Sequence, residues 1–454
     1  MRKRKILLVN PWIADFAAYD LWAKPLGLLY IAKFLKKYDY ELALIDLTDR
    51  ARWGGSNAGQ RDDGRGKLRK TIIPKPESLA RVPRRYGLYG ATIEQFTAAL
   101  RQNADCKAVL VTSHMTYWYP GLRRTVDLVR EYLPTAKIIL GGTYATIYPE
   151  HASQTIKADY LITGYGEKKV LTLLDSLFGI ERDYTRVPDF DDCGILPWEL
   201  YNSLESVPVL SSRGCPFHCS YCATRQLNPD FRQREPEDVL HEITSIYETF
   251  GVRHFAFYDD ALLANQEEHI VPILEGIAAS GVEASFHTPN GLFAREINEN
   301  LAALMLCAGV KTIRLSLESV VPKWQRASSN KTNNRNFIDA LQHLRRAGYR
   351  SGDIEVYLIF GLPGQTYADV RQSLEFVREC GAIARLAAFS PIPGTADWER
   401  AREMGHVFDG MDPIYANKTL FLCAGPDLTA DKVTELKLLC NTLNAEIQGP
   451  PDGR

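Results

Sequence analysis

Three cysteines, Cys215, Cys219 and Cys222, fall inside eight residues of the stretch SSRGCPFHCSYCATRQ (Ser211–Gln226), spaced C-x3-C-x2-C. Thiolates set this close together hold zinc or an iron–sulfur cluster. Structural zinc asks for four ligands, usually as two separated pairs. No second pair exists: Cys307, Cys380, Cys423 and Cys440 stand alone, as do Cys106 and Cys193. His218 lies inside the motif but does not easily turn to the same metal as its neighbours. A 4Fe–4S cluster held by three cysteines keeps one iron open, and an open iron is useful where a substrate or cofactor must bind to it.

The elements around the motif read as two βα series. In the first, Lys5–Asn10 (KILLVN), Glu41–Leu47, Ala108–Ser113, Lys137–Leu140 and Tyr160–Thr163 are short apolar runs of the kind buried in parallel sheets. Helical spacing appears over Pro25–Lys37 and at Leu122, Val126, Val129 and Leu133. This pattern predicts a Rossmann-like, flavodoxin-like parallel sheet over residues 1–182, with ligands past the strand ends near Asn10, Ser113, Gly141 and Gly164. Residues 50–90 break the pattern, with eleven Lys/Arg against three Asp/Glu. They read as a solvated surface insertion, with a lid over an anionic ligand as the minority alternative. Residues 183–206 read as a linker.

The second series has candidate strands at Pro208–Ser212, His254–Tyr258, Ala284–His287, Thr312–Leu317, Ile354–Phe360 and Arg385–Phe389. Helices are expected at Pro236–Phe250, Glu267–Ala279, Arg295–Cys307, Asn334–Ala347 and Tyr367–Cys380. Six βα units are fewer than the eight of a closed barrel, so residues 207–395 form a partial (β/α)6 TIM-type barrel. Residues 396–454 form a mostly helical C-terminal cap, expected to cover the barrel mouth and to end in a helix over Thr429–Ile447. The cysteine loop directly follows the first barrel strand, at the end where such barrels keep their active sites.

The totals set bounds. A chain of 454 residues implies two or three domains, and 45% apolar with 24% charged residues is ordinary for a globular protein. A net charge of -1 supplies no field toward nucleic acid or an acidic membrane. No run is apolar and long enough for a secretory signal or a membrane span. Nine mostly isolated cysteines argue for a reducing compartment. The expected location is cytoplasmic.

C-x3-C-x2-C with the aromatic Tyr221 before its last cysteine, after a strand of a βα repeat, resembles the radical S-adenosylmethionine superfamily. The resemblance covers about Val207 to Thr395. It implies that Cys215, Cys219 and Cys222 ligate three irons of a 4Fe–4S cluster. The fourth iron is chelated by S-adenosylmethionine, whose reductive cleavage gives a 5′-deoxyadenosyl radical. An electron donor such as flavodoxin or ferredoxin is implied. Phe217 and Tyr221 would lie near the cluster or the adenine. FYDDALL places Asp259 and Asp260 where the family has a group for the methionine amine, and a carboxylate there accepts from an ammonium. LSLES places Ser316 and Glu318 at the fourth strand end, Glu318 as a ribose or methionine contact. IFGLPGQT places Gly361 and Gly364 where backbone approaches the adenosyl group. His287 and Asn290, in FHTPNGL, are expected at the same mouth, touching S-adenosylmethionine or substrate, or bonding to the loop. Plain structural readings stand beside these: Asp260 as a cap, Glu318 as a surface carboxylate, the Gly-Leu-Pro-Gly stretch as a turn.

The N-terminal part resembles the cobalamin-binding class of this superfamily, through PLGLLYIA (Pro25–Ala32), GGTYATIYPE (Gly141–Glu150) and ITGYGE (Ile162–Glu167). The resemblance implies a corrinoid across the carboxyl edge of the sheet, near Ser113 and Gly164, its nucleotide tail in a slot at Gly141-Gly142. The usual D-x-H-x-x-G is absent; NPWIADFAAYDLW holds no histidine. The S-x-L element appears as Ser113-His114-Met115, with His114 read as structural. Cobalamin is thus expected without a histidine lower ligand, unless the domain has lost it. The leading reading is a cobalamin-dependent radical methyltransferase acting on an unactivated centre of a small-molecule or lipid-like substrate. The alternatives are a non-methylating radical conversion, such as oxidative cyclisation or rearrangement, and a non-catalytic corrinoid- or cluster-binding protein. A methylthiotransferase needs three N-terminal cysteines, and only Cys106 and Cys193 precede the motif.

Overall fold

The computed structural model describes residues 4–54, 61–192, 194–327 and 330–448. Cys193 and residues 55–60 of the insertion lie outside them. The chain divides into two compact units. One is Met1–Val207 with Gln226–Asn228 and Asp412–Tyr415; the other is Pro208–Arg225, Pro229–Met411 and Ala416–Arg454.

The first unit is built on five strands: β1 (Lys5–Asn10), β2 (Glu41–Asp46), β3 (Ala108–Val111), β4 (Lys137–Leu140) and β5 (Tyr160–Leu161). Their order is β5-β4-β3-β1-β2, and every pairing is parallel. Ile6, Leu7, Leu8 and Val9 are fully buried. Successive strand residues face opposite sides, so both faces of the sheet are covered, which explains the unbroken apolar run. The chain leaves β1 on one side for β2 and on the other for β3. This reversal, between the ends of β1 and β3, is the switch point at which open α/β sheets bind ligands.

The insertion is folded, contrary to the expectation of a solvated loop. Its strands Lys70–Ile72 and Gly87–Tyr89 pair antiparallel with each other, and the second pairs with Ile13–Asp15. Leu68, Leu79, Tyr86 and Tyr89 are buried. A handful of apolar side chains at irregular intervals thus anchors a stretch whose charge count masks them. Residues 183–206 also pack rather than link. Trp198 is fully buried, and the Tyr201 hydroxyl donates to Asp46 Oδ2 at 2.8 Å.

The second unit carries β6 (Val207–Val209), β7 (His254–Phe257), β8 (Ser285–His287), β9 (Val310–Glu318), β10 (Ile354–Phe360) and β11 (Ile383–Ala388), adjacent in chain order. Helices Pro236–Phe250, Ile270–Ala279, Glu299–Cys307, Asn334–Ala347 and Tyr367–Glu379 alternate with them. The third begins later than expected because Asn298 caps it, accepting from the Leu301 amide at 2.8 Å. The barrel is open, and its β11 edge is managed by the final helix, Ala430–Gln448. Asn444 accepts from the Ala384 amide at 2.8 Å and donates to the Ala384 carbonyl at 2.9 Å. The side chain thus satisfies an edge strand that would otherwise invite pairing. This last helix therefore lies along the sheet edge, not across the mouth. No helix among the described residues is long and apolar enough to cross a membrane.

Asn444→Ala leaves the buried Ala384 amide of β11 unsatisfied and its carbonyl to Cys440 Sγ at 3.5 Å. It should cost about 1–3 kcal/mol, read as a lower urea midpoint with unchanged slope; an unchanged midpoint would show that the edge is held by packing alone.

Candidate active site

The cysteine loop hangs from a short hairpin in which Ser212 and Arg213 pair with Gln233 and Arg232. Two further ties fix it. The Ser220 amide donates to the Ala327 carbonyl at 3.0 Å. Ser220 Oγ donates to Asp397 Oδ2 at 2.6 Å, while the Asp397 amide donates back to the Ser220 carbonyl at 2.9 Å. Asp397 is fully buried in the first turn of helix Ala396–Glu403, which Thr395 caps, and Arg400 pairs with it. The middle of the loop is thereby held while its thiols stay in the mouth.

Cys215 and Cys219 are half-buried and Cys222 is exposed. Burial, reinforced by Asp260 and the other two cysteines, raises Cys215 to about 11. Cys219 is also raised by burial, with Lys331 opposing. The three thiols are thus near enough to act on one another, and bare Cys215 and Cys219 favour protonation, so a positively charged group is needed to hold these two as thiolates. Among the described residues no three His, Cys, Asp or Glu side chains gather about one point as a single ion requires. A cubane asks less convergence, since each sulfur meets a different iron. The loop fits that group.

The two adjacent aspartates part ways. Asp259 is buried: its Oδ1 accepts from Ser211 Oγ at 2.8 Å and Ser212 Oγ at 2.6 Å, and Oδ2 from the Ser211 amide at 3.3 Å. Its bonds go to the protein, which corrects its expected place as a receptor for the methionine amine. Asp260 is accessible in the mouth. Crowding by surrounding protein, with Asp259 close behind, raises it to about 6. It remains the carboxylate suited to an ammonium.

His287 is likewise corrected. Its Nδ1 meets Thr312 Oγ1 at 3.0 Å and its Nε2 meets His254 Nδ1 at 3.2 Å. Thr312 and His254 stand near the starts of their strands, so this ring is committed below the mouth. Asn290 donates to the Tyr258 and Asp259 carbonyls at 2.8 and 3.1 Å and braces the loop after β7. Ser316 is buried close against Gly291. Phe217 packs edge-on against Phe293, ring centroids 4.5 Å apart. Tyr221 packs against a core cluster that includes Trp324 and Trp398. Arg314 is tied to Glu355 at 2.9 Å and to the Pro289 carbonyl at 3.2 Å.

Glu318 ends β9 with φ of 65°, a left-handed conformation rare for a residue with a side chain, at a register shift against β10. Its Oε1 accepts from Lys331 Nζ at 2.8 Å. No spacing in the sequence marks Lys331. Gly361 and Gly364 follow β10 with φ of 85° and 80°, and open space lies where a side chain would project.

In the first unit, Pro11, Trp12, Ser113, His114, Met115 and Tyr144 line a small hollow at the switch point between β1 and β3. Met115 is exposed there. Tyr117, buried in the same loop, has a hydroxyl with no hydrogen-bond partner among the described residues. His114 Nε2 meets Asn10 Oδ1 at 2.8 Å, and burial lowers its pKa. Met115 is the accessible apolar group that a corrin face would meet here, with Trp12, Tyr117 and Tyr144 buried. The glycine pair needs another account. Gly142 has φ of 95°, and a Cβ on it would lie 2.4 Å from the Ser113 carbonyl oxygen. Close packing of two loops therefore demands Gly142, and Ser113 Oγ donates to the Gly141 carbonyl at 2.7 Å. Gly164 lies exposed after β5, its amide donating to Thr146 Oγ1 at 3.1 Å.

Residues 209–377 match the radical SAM superfamily, and residues 83–174 match the B12 binding domain. An uncharacterized methyltransferase of Pyrococcus horikoshii is 24% identical over 298 residues, covering 58% of this chain and 62% of the relative. The chain thus spans less than two thirds of that protein. Cytidylyl-2-hydroxyethylphosphonate methyltransferase of Streptomyces wedmorensis is 22% identical over 461 residues, covering 87% and 81%. The structure of the radical S-adenosylmethionine methyltransferase TsrM of Kitasatospora setae, with cobalamin and a [4Fe-4S] cluster bound, superposes with a TM-score of 0.69. It is 16% identical and covers 96% of this chain and 91% of its own. The chain thus carries a radical SAM region over residues 209–377 and a B12 binding region over residues 83–174.

A carboxyl whose folded pKa is raised favours the folded state below its ordinary value, here 3.8, and loses that contribution as pH rises through about 6. In the metal-free protein, Asp260→Asn should therefore be more stable than the parent at pH 7, the difference narrowing as pH falls through about 6. A variant less stable at pH 7 would mean that Asp260 is a structural carboxylate.

Proposed function

We propose, from a radical SAM domain joined to a B12 binding domain, that the chain is a cobalamin-dependent radical S-adenosylmethionine enzyme, specifically a methyltransferase. One observation carries this reading: three thiols on a braced loop share a mouth with one carboxylate left accessible, Asp260, and one held on a strained strand end, Glu318. Cys215, Cys219 and Cys222 would hold the cluster. Asp260 would take the methionine ammonium and Glu318 the ribose. The cluster, when bound, supplies the electron that cleaves S-adenosylmethionine, and the corrinoid supplies a carrier for the methyl group.

The protein's contribution is placement. Ser220 and Asp397 hold the loop, so its three cysteines would hold the cluster in the same mouth as Asp260 and the Gly361–Gly364 turn. The wide φ of both glycines keeps side chains out of the space an adenosyl group would fill. Holding reacting groups in line this way converts binding energy into rate. In the first unit, the sheet edge at His114 and the exposed Met115 would meet the corrin face. We place the substrate among small or lipid-like molecules, and the electron donor among flavodoxin- or ferredoxin-like proteins.

The test is anaerobic purification with cluster reconstitution and added cobalamin, reading the visible spectrum after unbound corrinoid is removed. The parent should retain about one corrinoid per chain beside cluster absorption. Cys219→Ser should lose the cluster absorption and keep the corrinoid. A cluster without retained corrinoid would contradict the methyltransferase reading and leave a radical enzyme of another kind.

A further inference from the structure

Lys331 lies in the polar loop after β9, in the stretch NKTNN. Its side chain is nevertheless only 8% exposed. A buried ammonium needs compensating partners, and it has them. Its Nζ donates to Glu318 Oε1 at 2.8 Å and to the Tyr221 hydroxyl at 3.2 Å. It stands 5.5 Å from the centre of the Phe293 ring and 5.8 Å from that of Tyr221. Burial works against its charge, but Glu318, Cys219 and Cys222 outweigh burial and raise its pKa. Tyr221 directly precedes Cys222, so the ammonium stands against the cysteine loop.

We infer that Lys331 is a positioning residue that sets the reduction potential of the cluster and fixes Glu318 against the cysteine loop. The inference rests on reading Cys215, Cys219 and Cys222 as cluster ligands. Reduction brings one electron from an external reductant into a site that already carries three thiolates. No bond or proton need change, so the added negative charge must be met by fixed charges nearby. In a partly buried site such charges act strongly, and cluster potentials respond to the net charge and hydrogen bonds around the sulfurs. Lys331 favours the reduced state. Glu318, of opposite sign and bonded to it, works against the reduced state while keeping the ammonium in place. The chain thereby holds a cation at the cysteine shell before any ligand arrives.

The test is a redox titration of the reconstituted full chain with dithionite, without S-adenosylmethionine, followed by electron paramagnetic resonance of the reduced cluster. Lys331→Met should shift the midpoint to more negative potential, Lys331→Arg should stay near the parent, and Glu318→Gln should shift it to more positive potential. Opposite shifts separate charge from damage, because a loosened site would move both variants the same way. Lys331→Gln, which keeps a polar group beside Tyr221, is titrated alongside and decides the outcome if the Met variant takes up no iron. An unmoved midpoint in the neutral Lys331 variants, with the cluster intact, would overturn the inference. Absence of a 4Fe–4S signal in the parent would overturn the cluster reading itself.

Discussion

The buried carboxylate of Asp259 is the tie on which the catalytic mouth depends. It accepts from both serines that end the first barrel strand region and so joins that end to β7. Ser211 Oγ is bonded in turn to His269 Nε2 at 2.9 Å, and burial lowers that imidazole to about 4. A carboxylate taken out of water this completely is tolerated only when its lone pairs are filled. Here three donors fill them. The cysteine loop departs two residues after this tie, so its starting point is set by Asp259. The next residue, Asp260, is exposed where Asp259 is buried.

The same logic recurs on the far side of the mouth. The strand end at Glu318 is bent into a left-handed conformation and stabilised there by Lys331. Strain of this kind persists only where surroundings over-determine it, and it concentrates at sites of function. In the first unit the corresponding device is the approach of Gly142 to Ser113, which brings two loops together beside the switch point. Each sheet carries its ligand-facing groups at its strand ends, and buried hydrogen bonds one residue away hold them.

Much of this was legible in the residues. The apolar runs of β1, β4 and β10 and the cysteine spacing point directly to the sheets and the cluster loop, because both rest on local pattern. What was not legible rests on partners distant in sequence. Nothing in FYDDALL says which aspartate meets the serines, since adjacent strand-end residues differ only in facing. His287 looked available because it ends a strand, yet its strand is three residues long and its ring meets the starts of two neighbours. Lys331 carried no signal, as a lone lysine in a polar loop is ordinarily solvated. The insertion was misjudged from its charge, while Leu68, Leu79, Tyr86 and Tyr89 did the anchoring.

If both cofactor sites serve turnover of S-adenosylmethionine, its cleavage and demethylation products must form. The direct measurement is an anaerobic incubation of the protein, loaded with cluster and cobalamin, with S-adenosylmethionine and a strong reductant, quantifying nucleoside products. The expected products are 5′-deoxyadenosine and S-adenosylhomocysteine together, the first lost in Cys219→Ser. Neither product, with cluster and corrinoid both bound, would contradict that turnover and leave a carrier or sensor.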